Sequence, residues 1–383
     1  MSYDLHSFGR MIADRARMDA YVEALRRAVR PGSVVLDIGT GTGIFSLLAC
    51  RFGAERVYAV EPSDTIQAAR EVARASGLAD RIEFFQDLST RVDLPRRADV
   101  VVSDIRGVLP LHGRIIPSLA DARERLLAPG GVMIPRRDTI RAAPVEAAGL
   151  YARMVEPWEG DLAYGFDVSS VRRAVVSAWT RAHLEADQLL AAPAEWAVID
   201  YGAIRDPDVG GEMAWTAERA GTAHGFAAWF DTELAEGIGY STAPGGPEMI
   251  YGTAFFPWEH PVDLHPGDRI SVDLDARLVG DGYLWTWSTR VEREGAEPLR
   301  FRQSTFHAVP ISPARLRRRA DSFVPRLGED GRIDALVLSR MDGGASLGDI
   351  AREVRERFPA RFATWEAALT RVGALSEQYA SDG

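Results

Sequence analysis

Apolar residues at Phe8, Met11, Ile12, Met18, Tyr21, Val22, Leu25 and Val29 recur at helical spacing and predict a helix over Ser7–Arg30, closed by Pro31-Gly32. Beyond it the pattern alternates. Val- and Ile-rich runs at Val34–Asp37, Val57–Val60, Ile82–Phe85, Val100–Val102 and Gly131–Ile134 are separated by helix-length segments at Phe45–Phe52, Ser63–Ser76 and Ile116–Leu127. Short apolar strands spaced by helices predict a doubly wound α/β unit over residues 1–135, its parallel sheet covered on both faces.

After Pro135 the pattern changes. Ala197–Tyr201, Gly225–Leu234, Arg269–Leu278 and Tyr283–Val291 carry β-branched and aromatic residues between Gly, Pro and Asp turns, and predict an antiparallel β-barrel or sandwich over 136–310. A third unit, 311–383, opens at Ile311-Ser312-Pro313 with the basic run Arg315–Arg319 and ends in amphipathic helices at about Ser346–Phe358 and Thr364–Tyr379. Its helix, Asp342-Gly343-Gly344 turn and Ser346-capped helix resemble the small winged-helix peptide-recognition domains of ribosomal-peptide pathways, which implies a peptide contact.

Composition narrows the chemistry. A net charge of −10 over 383 residues disfavours binding to nucleic acid or to anionic membranes. The single cysteine, Cys50, excludes a disulfide framework and a multi-thiolate zinc site, and fits a reducing compartment. His224, His260, His265 and His307 have no metal-ligand spacing. All 45 basic residues are arginine, which excludes a lysine Schiff base and a phosphate-binding P-loop. With no secretory leader and no apolar run of about 20 residues, a soluble cytoplasmic protein is expected.

The informative stretch is Val34-Val35-Leu36-Asp37-Ile38-Gly39-Thr40-Gly41-Thr42-Gly43, on the first strand-to-helix turn. Open α/β sheets bind ligands there, and glycines let the backbone approach the ligand. The alternating glycines differ from the dinucleotide fingerprint, and an acid directly before the loop suits a cationic ligand. S-adenosylmethionine (SAM), with its ammonium and sulfonium, has those properties. Glu61 ends the next strand, where a carboxylate can accept both ribose hydroxyls. Ile82–Phe85 and the Gln86-Asp87-Leu88-Ser89 segment after it are placed to flank the adenine, with Asp87 or Ser89 on its amine.

With these motifs the chain resembles the protein arginine methyltransferases from about Met11 to about His307. The likeness rests on Met11–Met18 in the leading helix, the glycine loop, Val60-Glu61, Tyr164–Asp167, Gly225–Asp231 and Gly239–Pro244. It implies a SAM domain joined to a β-barrel, a helical arm at about 156–190 and a homodimer. It also implies that Arg17 clamps the methionine carboxylate of SAM and that Met11 packs near the reacting methyl. The acceptor motifs depart from the pattern. The family's Ser-Glu loop reads Ser103-Asp104-Ile105-Arg106, its second glutamate falls on Gly113, and its Thr-His-Trp falls on Met249-Ile250-Tyr251.

A guanidinium buried without its carboxylates is poorly held. The leading expectation is therefore methyl transfer to N or O of a non-protein, possibly anionic small molecule. A methyltransferase of arginine on protein, peptide or free guanidino compound is the second, and a silent scaffold binding SAM or peptide the third. Asp104, Arg106 and His112 are the candidate catalytic residues, and Asp104 is equally a candidate to contact SAM alone. Arg106 is expected to bind an anionic group of the acceptor or to orient Asp104, and His112 to act as base. Tyr240, Tyr251, Phe255, Phe256 and Trp258 are candidates for an apolar acceptor wall or for barrel core.

Overall fold

A computed structural model describes residues 4–159 and 163–380. The contacts divide the chain into two units, Met1–Pro310 and Ile311–Gly383.

The predicted leading helix is two helices, α1 (Leu5–Ala13) and α2 (Arg15–Ala28). Asp14 leaves the helical conformation between them and its carboxylate accepts from the Arg17 N–H, so an N-cap interrupts an apolar period that runs straight through it. A parallel sheet follows, built from β1 (Val34–Ile38), β2 (Arg56–Val60), β3 (Ile82–Phe85), β4 (Ala98–Ser103) and β5 (Leu127–Ile134). The strand order is β3-β2-β1-β4-β5, with α3 (Ile44–Arg51), α4 (Thr65–Ala75) and α5 (Ile115–Asp121) in the crossovers. The order reverses at β1, and in open α/β sheets ligands bind beyond the carboxyl ends of the strands at such a point.

Two antiparallel sheets complete the unit. β7 (Thr180–Ala182), β12 (Thr253–Leu264), β10 (Gly221–Ala235), β6 (Arg137–Val145) and β8 (Ala194–Asp200) lie in that order, with β11 (Ile238–Ser241) paired to β10. β15 (Leu299–Ser304), β14 (Gly282–Glu292), β13 (Arg269–Val279) and β9 (Val209–Thr216) form the second sheet. The sheets share an aromatic core in which Phe226 stacks on Phe256 at 4.7 Å and Trp287 meets the Phe256 ring edge-on at 5.3 Å. Phe255, Phe256 and Trp258 are fully buried in the barrel, which removes them from the candidate acceptor wall.

The arm region contains α6 (Ala148–Val155) and α7 (Ser169–Val176), and exposes Tyr164 and Phe166. Residues 160–162 of the expected arm lie outside the described residues. α8 (Thr305–Ala308) ends this first unit.

The second unit contains α9 (Pro313–Arg318), α10 (Glu329–Met341), α11 (Leu347–Arg357) and α12 (Trp365–Tyr379). The last three close on a core of Ile333, Val337, Ile350, Val354, Val372 and Leu375. Ser346 and Thr364 cap α11 and α12 by accepting from the backbone. The winged-helix likeness implies a β wing, but no strand is found among the described residues of this unit. Among the described residues no helix is long and apolar enough to cross a membrane.

Candidate active site

Asp37, at the carboxyl end of β1, is wholly buried. Its Oδ2 accepts from Thr40 at 2.6 Å and from Ser46 at 2.7 Å, while its Oδ1 has no hydrogen-bond partner among the described residues. Burial pushes its pKa up to about 6, against the lowering effect of those two hydroxyls. A buried carboxylate with one oxygen unanswered is a receptor for a cation. The hydroxyl of Thr40, a residue expected at the cofactor, donates to Asp37.

The glycine loop is tight. Gly39, Gly41 and Gly43 all have positive φ. A Cβ on Gly41 would meet the Phe8 ring at 2.3 Å, and one on Gly39 would meet Ile105 at 2.5 Å. Gly43 serves a different purpose: its missing Cβ admits α4 at Ala69, 3.0 Å away. Glu61, after β2, accepts from the Gly41 N–H at 3.2 Å and the Ser63 N–H at 3.0 Å, which fixes its carboxylate over the loop. Beyond β3, Asp87 caps the Leu88 N–H, Leu88 is exposed, and Ser89 is buried with its carbonyl accepting from Arg125. An orphaned buried acid, a backbone cradle with no room for side chains and a second acid twenty positions on fit SAM.

The acceptor side is an ionic network spanning α2, the loop after β4, and the barrel. Arg17 pairs through Nε and Nη2 with Asp104 Oδ2, and its Nη1 donates to the Met11 carbonyl at 3.0 Å. Asp104 Oδ1 also accepts from Tyr21 at 3.0 Å and from Arg106 Nη1 at 3.3 Å. Arg106, 3% exposed, forks onto Asp138 of β6, with Nε and Nη2 each 3.1 Å from one carboxylate oxygen. Its Nη1 donates to the Tyr21 and Tyr240 hydroxyls at 3.0 and 2.8 Å, and its Nη2 to Thr232 at 2.9 Å. Tyr201 closes the set by donating to Asp138 at 2.6 Å.

Burial opposes the Arg106 charge, but Asp138 and the surrounding phenol oxygens hold it above the ordinary arginine range. Burial also pushes Tyr21, Tyr201, Tyr240 and Tyr251 well up, so their hydroxyls keep their protons and donate.

This arrangement corrects one expectation about Arg106. A guanidinium has five N–H groups, and all of those on Arg106 are engaged within the protein. It orients Asp104 and has no donor left for an anionic acceptor. Two guanidinium groups face two carboxylates, so the network is formally neutral.

Above the network lies a cavity of about 390 Å³. Met11, Val108, Trp179 and Ile250 make it largely apolar, with Tyr251 and Arg106 at its base and Arg10 and Arg181 among its walls. No carboxylate is among the described residues that line it. His112 lines it too, an exposed residue whose ring lies against Gly107, where the missing Cβ leaves room for it. Burial of that inner face pushes the imidazole pKa below its usual 6.5. Asp138, Tyr21, Tyr201 and Thr232 are not legible as site residues in the sequence. They sit on separate elements with no motif, and a buried Asp inside the β6 pattern was the one local signal.

The fold and cradle define a class I SAM-dependent methyltransferase, and the comparisons agree. A family model for ribosomal protein L11 methyltransferase matches residues 19–135, and one for the arginine methyltransferase oligomerization subdomain matches 136–277. The chain is 31% identical to protein arginine N-methyltransferase 1 of Schizosaccharomyces pombe over 245 residues, which cover 61% of this chain and 71% of that one. It is 32% identical to the probable protein arginine N-methyltransferase 6 of Arabidopsis thaliana over 59% of its own length, and spans about half (53%) of that relative. A Trypanosoma brucei arginine methyltransferase 1 enzyme–prozyme complex solved with S-adenosylhomocysteine shares the fold. The TM-score is 0.70 at 24% identity, covering 79% of this chain and 98% of the other. The chain belongs to the protein arginine methyltransferase family.

Proposed function

We propose that this chain transfers the methyl group of SAM to a nitrogen of a protein or peptide, and that the nitrogen is an amine. The relatives are named for N-methylation of protein arginine, and this supports the second expectation, an arginine acceptor, over a non-protein small molecule. A polypeptide acceptor is taken from them. The observation that supports an amine over a guanidinium is the fork of Arg106 on Asp138 and its third contact with Asp104, which engages these acids with the chain's own arginine.

When bound, SAM supplies an electrophilic methyl group. The acceptor nitrogen must reach it within about 3–3.5 Å, in line and out of water. The apolar part of the cavity wall limits water near the acceptor, and Arg10 and Arg181 favour the uncharged, nucleophilic form of an amine. His112, largely neutral at pH 7, accepts the proton that the nitrogen loses on forming its bond to the methyl carbon. Arg17 and Glu61 would hold the methionine carboxylate and ribose of SAM, and Asp37 would face its ammonium.

The test is methyl-labelled SAM with host extract, followed by size separation and hydrolysis. Labelled amine in the polypeptide fraction supports this reading. Labelled methylarginine would establish the arginine acceptor, and label confined to small molecules would restore the non-protein one. The oligomerization-subdomain match supports self-association through the arm, which light scattering in solution tests.

A further inference from the structure

We propose that Asp104, Asp138, Phe230, Tyr21, Tyr240 and Thr232 form a guanidinium-binding cage whose resident is the chain's own Arg106, and that this residency excludes guanidinium ligands from the acceptor cavity. The exclusion rests on the acceptor reading above; the residency does not.

The cage has every contact a guanidinium can make. Asp138 offers both oxygens in a parallel fork at 3.1 Å each, the most selective pairing open to a planar guanidinium. Thr232 and Tyr240 accept at the outer edges, Tyr21 and Asp104 share the remaining Nη1, and the Phe230 ring lies 5.6 Å below the guanidinium carbon. Asp138 is 0% exposed and the Asp104 side chain 5%, so the acid partners of the cage are set within the protein.

α2, the loop after β4, β6, β10 and β11 converge here, and Asp138 and Thr232 stand directly opposite each other on β6 and β10. Arg106 reaches the cage from the loop after β4, and its side chain separates the cage from the 390 Å³ cavity that it also lines. Truncation of Arg106 would therefore join cage to cavity and leave Asp138 without a counter-ion. A buried charge in that condition recruits a replacement or destabilises the fold.

Arg106→Ala is the test, with methylguanidine as the probe and methylammonium as a control of equal charge and different shape. The variant is expected to melt several degrees below the wild type. Millimolar methylguanidine should recover at least half of that loss, saturably, while methylammonium recovers none and the wild type responds to neither. If Arg106→Ala does not fold, its refolding yield with and without methylguanidine reads the same equilibrium. A variant as stable as the wild type, or one indifferent to methylguanidine in both measurements, would overturn the residency. Saturable binding of methylguanidine to the wild type would overturn the exclusion. The rescue reads occupancy of the cage whatever the acceptor is, so its failure is distinct from recovery of methylarginine in the labelling experiment.

Discussion

The phenolic oxygen of Tyr251 lies 2.7 Å from each carboxylate oxygen of Asp104. One hydroxyl at the base of the acceptor cavity thus bridges the acid that also holds Arg17, the residue implied in cofactor binding. Asp104 is not among the described residues that line the cavity, and this hydroxyl and Arg106 link it to that lining. Tyr251→Phe removes one charge-assisted hydrogen bond, a loss of about 1.5–3 kcal/mol. The expected result is a lower Tm together with a fall in kcat of roughly tenfold or more, by thermal shift and initial rates. An unchanged Tm and kcat would show that the bridge does nothing.

Asp37 sets a pH dependence for cofactor binding. Its pKa near 6 in the fold exceeds the unfolded value of 3.8, so the folded carboxyl takes up a proton more readily than the unfolded one. Burial of this group therefore costs stability as pH rises through about 6, and the cost vanishes below 3.8. A cationic ligand reverses the preference, because it binds the ionised form. Calorimetry should show SAM affinity increasing as pH rises through 6. Asp37→Asn should flatten that dependence and weaken binding above it by about tenfold, or about 1.4 kcal/mol.

His112→Ala should lower kcat by about 100-fold or more if the imidazole takes the acceptor proton. In the wild type kcat should rise with pH and level off before neutrality, since burial places the imidazole pKa below 6.5. The variant should lose that acidic limb. A retained limb would assign it to another group.

Gly41→Ala places a methyl group where the Phe8 ring of α1 lies, at a φ of +53° that disfavours side chains. The expected effect is weaker SAM binding with α1 displaced from the loop. Limited proteolysis near Phe8 should be faster in the variant, and equal rates would place α1 elsewhere.

Asp138→Asn leaves Arg106 buried opposite a neutral partner. Breaking a buried pair on one side costs about 3–5 kcal/mol, so a large drop in Tm is expected. Asp87→Asn, which alters a partly exposed cap, is the control with little change.

The elements were legible wherever one local signal dominated. The first four parallel strands, the glycine loop and the Ser346 cap each depend on neighbours within a few residues, and the structure shows them within a residue or two of the sequence reading, whereas the fifth strand begins at Leu127 rather than Gly131. The break at Asp14 was missed because an N-cap inside a continuous apolar period looks like one more polar face residue.

The sequence by itself determined a SAM domain, its cofactor cradle and a barrel, since strand periodicity and the turn needs of Gly39 and Gly41 are local properties of the chain. It also showed that the acceptor motifs were altered, and raised Arg106 as a question. Only the tertiary structure decided what Arg106 does. Its partners Tyr21, Asp138, Thr232 and Tyr240 lie 85, 32, 126 and 134 residues away. No periodicity links positions so far apart. A buried guanidinium is defined by which acids the fold closes around it, and that closure depends on the barrel packing against the loop after β4.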